Sequence, residues 1–139
     1  RSNWMRQVTV STTAWKKSSD SKCGPVFAHL SFAKTSRTPK TILTSRSISA
    51  LFPAISNIGG VRPDSLRWHP NGLALDVMVP DPTSEAGIAL GDAIVAYVLE
   101  NSHRFGIQDA IWRGVYYTPS GARPGGYGHY DHVHVSFVA

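Results

Sequence analysis

Ala74-Leu75-Asp76-Val77-Met78-Val79-Pro80, followed by Asp81-Pro82-Thr83-Ser84-Glu85, is the stretch that decides the fold class. Apolar residues on both sides of Asp76 predict a strand buried on both faces. Pro80 closes it, because proline cannot donate to a strand ladder. Thr83 or Ser84 caps the helix that comes next, and Glu85 suits its electropositive first turn. Ile88, Val95 and Leu99, with Ala89, Ala96 and Tyr97, make one apolar face at helical spacing. Gly106, after Phe105, ends that helix. Asp109-Ala110-Ile111-Trp112-Arg113 reads as a second strand. The glycine- and proline-rich segment 114–128 reads as a loop. His132-Val133-His134-Val135-Ser136-Phe137 alternates strictly and predicts a third strand. This order predicts an α+β domain: a small, mostly antiparallel sheet backed by one main helix over 84–105.

Upstream, Ser47–Phe52 reads as a short helix stopped by Pro53, and Ile58–Pro63 as a glycine-hinged turn or strand end. Gln7–Thr12, Phe27–Phe32 and Thr41–Thr44 read as further strands. Residues 1–46, rich in Ser, Thr and Lys, are expected to form an N-terminal extension packed on a domain spanning 47–139. The length of 139 residues fits one domain. With 42% hydrophobic and 17% charged residues, a wholly disordered chain, a collagen and a coiled coil are excluded. No apolar run reaches the roughly 18–20 residues of a spanning helix. The chain starts at Arg1 and shows no signal-peptide pattern, so the expectation is a mature or trimmed domain, secreted or associated with a cell wall. A single cysteine, Cys23, excludes an internal disulfide and a multi-cysteine zinc site. It reads as structural or incidental.

The net charge is +5, and the positive residues gather at the front. Through Arg46 the only acid is Asp20; from Ser47 onward acids outnumber basic residues. A basic first third on a near-neutral body suits adhesion to an anionic surface such as a bacterial wall. A nucleic-acid-binding module without metal is the alternative that the same charge allows.

The chemistry-bearing residues are histidines and one aspartate. Asp76 sits between Leu75 and Val77, and a carboxylate buried there needs a cation or strong donors. His132 and His134 are two apart on a predicted strand, so both leave the same face while Val133, Val135 and Phe137 leave the other. Two neighbouring imidazoles suit a metal or a proton-transfer site. His69 precedes Asp76 by seven residues. His69, Asp76 and His134 together offer two nitrogens and a carboxylate oxygen, a donor set that zinc takes in catalytic sites. His29 and His103 read as ordinary surface or capped residues.

Arg62…His69-Pro70-Asn71-Gly72-Leu73-Ala74-Leu75-Asp76…His132-Val133-His134 resembles the zinc superfamily of D-Ala-D-Ala metallopeptidases, lysostaphin-type endopeptidases and the hedgehog signalling domain. The resemblance runs over about Gly59–Phe137. It is nearest to actinobacterial secreted domains that end in His-Tyr-Asp-His-Val-His-Val-Ser, as residues 129–136 do. It implies one Zn2+ per chain, held by His69, Asp76 and His134, which activates water and polarises a scissile carbonyl. It also implies that Arg62 holds substrate, although the aromatic residue expected before that arginine is Val61 here. For the general base the resemblance leaves two candidates. Asp131 occupies the carboxypeptidase position, three residues before the last metal histidine. His132 occupies the endopeptidase position. Strand alternation turns His132 toward the metal and Asp131 away, which favours His132.

Tyr116, Tyr117 and Tyr127, with Trp112, Arg123 and Tyr130 around them, read either as ordinary aromatic packing in a surface loop or as substrate contacts at the rim of a peptide cleft. The leading expectation is a zinc-dependent hydrolase that cleaves peptide bonds of peptidoglycan. The first alternative is a non-catalytic zinc-binding domain of the same fold, serving cell-wall or protein binding.

Overall fold

The computed structural model describes residues 37–139, all within the compact unit Lys34–Ala139. The expected strands at 7–12 and 27–32, Cys23, His29 and most of the expected extension lie outside the described residues. Thr38 opens helix α1, Pro39–Leu51, with its hydroxyl accepting the Thr41 N–H. Pro39 follows at a helix start, where its missing N–H costs nothing. The expected strand at Thr41–Thr44 is therefore helical. Thr41, Thr44 and Ile48 are its buried residues, at helical rather than alternating spacing. The helix continues through position 46, where the composition changes, into the expected short helix at Ser47–Phe52, and stops before Pro53.

Among the described residues six strands form one antiparallel sheet: β1 (Ile58–Gly59), β2 (Ala74–Met78), β3 (Ile107–Trp112), β4 (Gly114–Thr118), β5 (Gly121–Gly126) and β6 (His132–Phe137). Their spatial order is β1-β2-β6-β3-β4-β5, and every pairing is antiparallel. The expected loop at 114–128 is instead the β4–β5 hairpin. Its turn is closed by the Thr118 hydroxyl donating to the Gly121 carbonyl, with Gly121 at φ 141°. Pro124 fits because β5 is an edge strand, where a missing N–H breaks no ladder.

Helix α2, Glu85–Glu100, is capped by Ser84, whose hydroxyl accepts the Gly87 N–H at 3.0 Å. The expected single helix over 84–105 is interrupted at Asn101 and resumes as the short α3, Ser102–Phe105, closed by Gly106 in the left-handed conformation. The buried face of α2 is Gly87, Gly91, Ile94, Val95 and Val98, so Ala89 and Ala96 stand exposed beside the expected stripe. Gly91 and Asp92 form the seat of Trp112. A Cβ on Gly91 would lie 2.2 Å from the Trp112 ring, and the Trp112 indole N–H donates to Asp92 Oδ1 at 3.0 Å. The core lies between α2 and one face of the sheet: Leu75, Val77, Ala110, Trp112, Val133, Val135 and Phe137. Among the described residues, no helix is long and apolar enough to cross a membrane.

A bulge in β3 decides what the other face carries. Ile107 pairs with Phe137, yet Asp109 pairs with Ser136. The extra residue reverses the alternation. Ala110 and Trp112 consequently join the core, while Asp109 and Ile111 join the opposite face. On that face Gly59, Asp76, His134, Ile111, Tyr116 and Arg123 stand in register, one from each strand.

Candidate metal centre

His69 belongs to the turn that feeds β2. The turn is held by Gly72 N–H donating to the His69 carbonyl and Leu73 N–H to the Trp68 carbonyl, with Gly72 at φ 68°. Helix α1 braces it, since the Thr41 hydroxyl donates to the Gly72 carbonyl at 2.9 Å. Asp76 on β2 and His134 on β6 are register partners, and His132 lies one pleat along from His134 on the same face. His69, Asp76 and His134 are all buried, and their ligand atoms lie within 4.8 Å of one another. This cluster could hold a metal ion.

The hydrogen bonds assign the donor atoms. His69 Nδ1 is 2.8 Å from the Gly60 carbonyl, which can only accept, and 3.3 Å from Arg62 Nη1, which can only donate; the shorter contact is the stronger hydrogen bond and puts the proton on Nδ1. His69 Nε2 then keeps a lone pair. It is buried, has no hydrogen-bond partner among the described residues, and lies 3.4 Å from Asp76 Oδ2. A lone pair facing a carboxylate oxygen is unfavourable unless a cation joins them. This orphaned nitrogen is the observation that fits the donor set to a metal. His134 offers its other nitrogen: Nδ1 is 2.9 Å from Asp76 Oδ1, while Nε2 is 3.1 Å from the Ser136 hydroxyl. Because a hydroxyl both donates and accepts, Ser136 supports His134 with either nitrogen protonated.

Burial alone would raise the Asp76 pKa. Hydrogen bonds from His134 and Arg62 and the fields of His69 and His134 overcome it and hold the carboxyl well below the usual range. Burial pushes His69 below the ordinary histidine value, which leaves it neutral and able to ligate. Arg62 donates through Nη1 to Asp76 Oδ2 and is 47% exposed, so it reaches the site from the mouth.

His132 Nε2 is 3.6 Å from Asp76 Oδ1, and His132 Nδ1 is 2.7 Å from Asp131 Oδ1. The two candidate bases are thus partners, with His132 toward the site and Asp131, 65% exposed, behind it. The hydrogen bond from His132 lowers the Asp131 pKa.

Tyr116 is on the site face, where its hydroxyl donates to the buried Asp109 at 2.7 Å and its ring lies under the Arg123 guanidinium. Tyr117 points to the opposite face and packs against the core. Tyr127 is 89% exposed on the segment leading to β6. The fold brings two further residues to this centre, Ser136 and His129, neither of which carries a site expectation from sequence. Ser136 had a signal, its place two residues after His134 on an alternating strand. His129, whose ring packs against both His132 and His134, had none beyond being a histidine nearby.

No curated protein and no solved structure matches the chain. A family model described as VldE, C-terminal domain, matches residues 33–133, well over half of the chain, and stops one residue before His134. The chain belongs to the VldE C-terminal domain family.

Proposed function

We propose that this protein is a zinc-dependent hydrolase of the D-Ala-D-Ala peptidase, lysostaphin and hedgehog type, acting on peptide bonds of peptidoglycan. The observation that carries the reading is the orphaned His69 Nε2 facing Asp76 beside a His132–Asp131 pair. His69 Nε2, an Asp76 oxygen and His134 Nδ1 would hold the ion. When bound, such an ion polarises a carbonyl and acidifies water.

The protein's own groups do the rest. Asp131 accepts the Nδ1 proton of His132 and leaves Nε2 as the free lone pair on the site side. His132 is therefore the group that takes a proton from the attacking water and returns it to the leaving amine. Asp131 acts through His132 as a positioning residue. Gly60 and Ser136 fix which nitrogen of each ligand histidine faces Asp76. Arg62, half-exposed at the mouth, would hold a substrate carbonyl or carboxylate. The other face of the sheet is buried in the core against α2, so substrate would reach the centre from the site face. The net charge of +5 suits an anionic wall polymer, and the reading carries with it a secreted or wall-associated location.

The deciding experiment is metal analysis of the purified protein, followed by digestion of purified peptidoglycan with and without a chelator. One zinc per chain and chelator-sensitive release of peptides support the proposal. Zinc without hydrolysis assigns the protein to the non-catalytic binding alternative, and absence of metal overturns the reading.

A further inference from the structure

His129 has no role in the reading above, yet the fold brings it to the same centre. Its ring centroid lies 4.9 Å from that of His132 and 5.3 Å from that of His134. Its Nδ1 donates to the Tyr127 carbonyl at 2.8 Å, which leaves Nε2 as a fixed acceptor. The backbone at His129 is left-handed, with φ 60°, a conformation that strains a residue bearing a side chain. Two bonds hold it there. Arg113 N–H donates to the His129 carbonyl at 2.8 Å, and Gly114 N–H to the Gly128 carbonyl at 3.1 Å. Glycine would meet this backbone without strain, and the imidazole is only half-buried.

We propose that His129 is a ligand-binding residue of the His69–Asp76–His134 site, whose Nε2 accepts a hydrogen bond from an N–H of the molecule entering the mouth. The chemistry it recognises is a protic nitrogen beside a carbonyl, as in an amide or a hydroxamate. The inference rests on the metal-centre reading but does not require that the protein hydrolyse anything.

The test uses the cobalt(II)-loaded protein, with d–d absorption as the readout and two probes. Acetohydroxamate carries the N–H; N-methylacetohydroxamate does not. The variants are His129→Gly, which relieves the strain, and His129→Asn, which tolerates the left-handed backbone but is too short to reach. We expect cobalt affinity within about threefold of the parent, and acetohydroxamate affinity about five- to tenfold weaker in both variants. The N-methyl compound binds parent and variants alike. The melting temperature of metal-free His129→Gly stays within a few degrees of the parent, because relief of the left-handed backbone offsets the lost Nδ1 hydrogen bond.

Unchanged acetohydroxamate affinity, an equal loss for the N-methyl probe, or a fall of several degrees in the metal-free melting temperature would overturn the proposal. A parent protein that takes up no cobalt overturns it together with the metal centre. His129-dependent probe binding without peptidoglycan cleavage leaves it standing and removes the hydrolase reading alone.

Discussion

Asp76 and His134 face each other across β2 and β6, with Asp76 Oδ1 2.9 Å from His134 Nδ1 and Asp76 Oδ2 3.4 Å from His69 Nε2. One carboxylate thus joins two imidazoles that come from a turn and from the last strand. Asp76→Ala is expected to lower zinc content from one per chain to none, and to abolish the rise in melting temperature that zinc gives the parent. Zinc analysis and melting curves with and without the metal check both. Retained zinc would mean that another carboxylate serves.

The His132–Asp131 pair predicts unequal and non-additive effects. His132→Ala keeps zinc and lowers turnover by roughly 10²–10⁴-fold, the usual contribution of a general acid–base group. Asp131→Asn is milder, because it disturbs the orientation of His132 rather than the proton acceptor itself. The double variant turns over about as slowly as His132→Ala alone. Near-normal turnover in His132→Ala with none in Asp131→Asn would assign the base to the carboxylate.

Arg62 already donates to Asp76 Oδ2, the oxygen that faces His69 Nε2 and that a metal ion held there would share. Arg62→Ala is therefore expected to bind zinc as tightly as the parent or more tightly. It should use substrate less well, by a charge-assisted contact of about 1.5–3 kcal/mol, seen mainly in KM. Competition with a zinc-sensitive chelator and steady-state kinetics separate the two effects. Weaker zinc binding would show that the guanidinium supports the site rather than competing in it.

Gly91→Ala places a methyl group against the Trp112 ring. Neither the helix backbone nor a ring held by Asp92 can move away freely, so overpacking should cost about 1–3 kcal/mol. Chemical denaturation followed by tryptophan fluorescence measures it. Stability equal to the parent would show that the α2–β3 contact gives way easily.

Tyr116 predicts an alkaline limit. Burial and the hydrogen bond to Asp109 raise its pKa above that of an exposed tyrosine, about 10. The raised value favours the protonated phenol in the folded state. Its contribution is complete below the unfolded pKa and is lost as pH rises through the folded one. Tyr116→Phe should flatten the fall in stability above pH 10, measured by denaturant titration at a series of pH values. An identical fall in both proteins would place the alkaline sensitivity elsewhere.

Several features were legible in the sequence because they depend on near neighbours. The alternation of His132–Phe137 put two histidines on one face. A carboxylate between Leu75 and Val77 required compensation, and Thr83-Ser84 marked the start of α2, with Ser84 the cap in the fold. These follow from the two-residue period of a strand and the unsatisfied amides of a helix end, which a short window contains. The tertiary structure decided what depends on distant partners. Thr41–Thr44, β-branched at both ends, is helical because residues 41, 44 and 48 are buried together, which secures the helix that the local Thr38–Pro39 start permits. Segment 114–126 is a hairpin because β3 offers β4 an edge to pair with. The bulge between Ile107 and Asp109 sends Trp112 to α2 and Asp109 to the site face, an outcome set by pairing with β6 rather than by the residues of β3. His129 came to rest against His134 through chain placement that no residue period encodes. Local periodicity selects which face a side chain leaves; strand pairing and bulges select what it meets there.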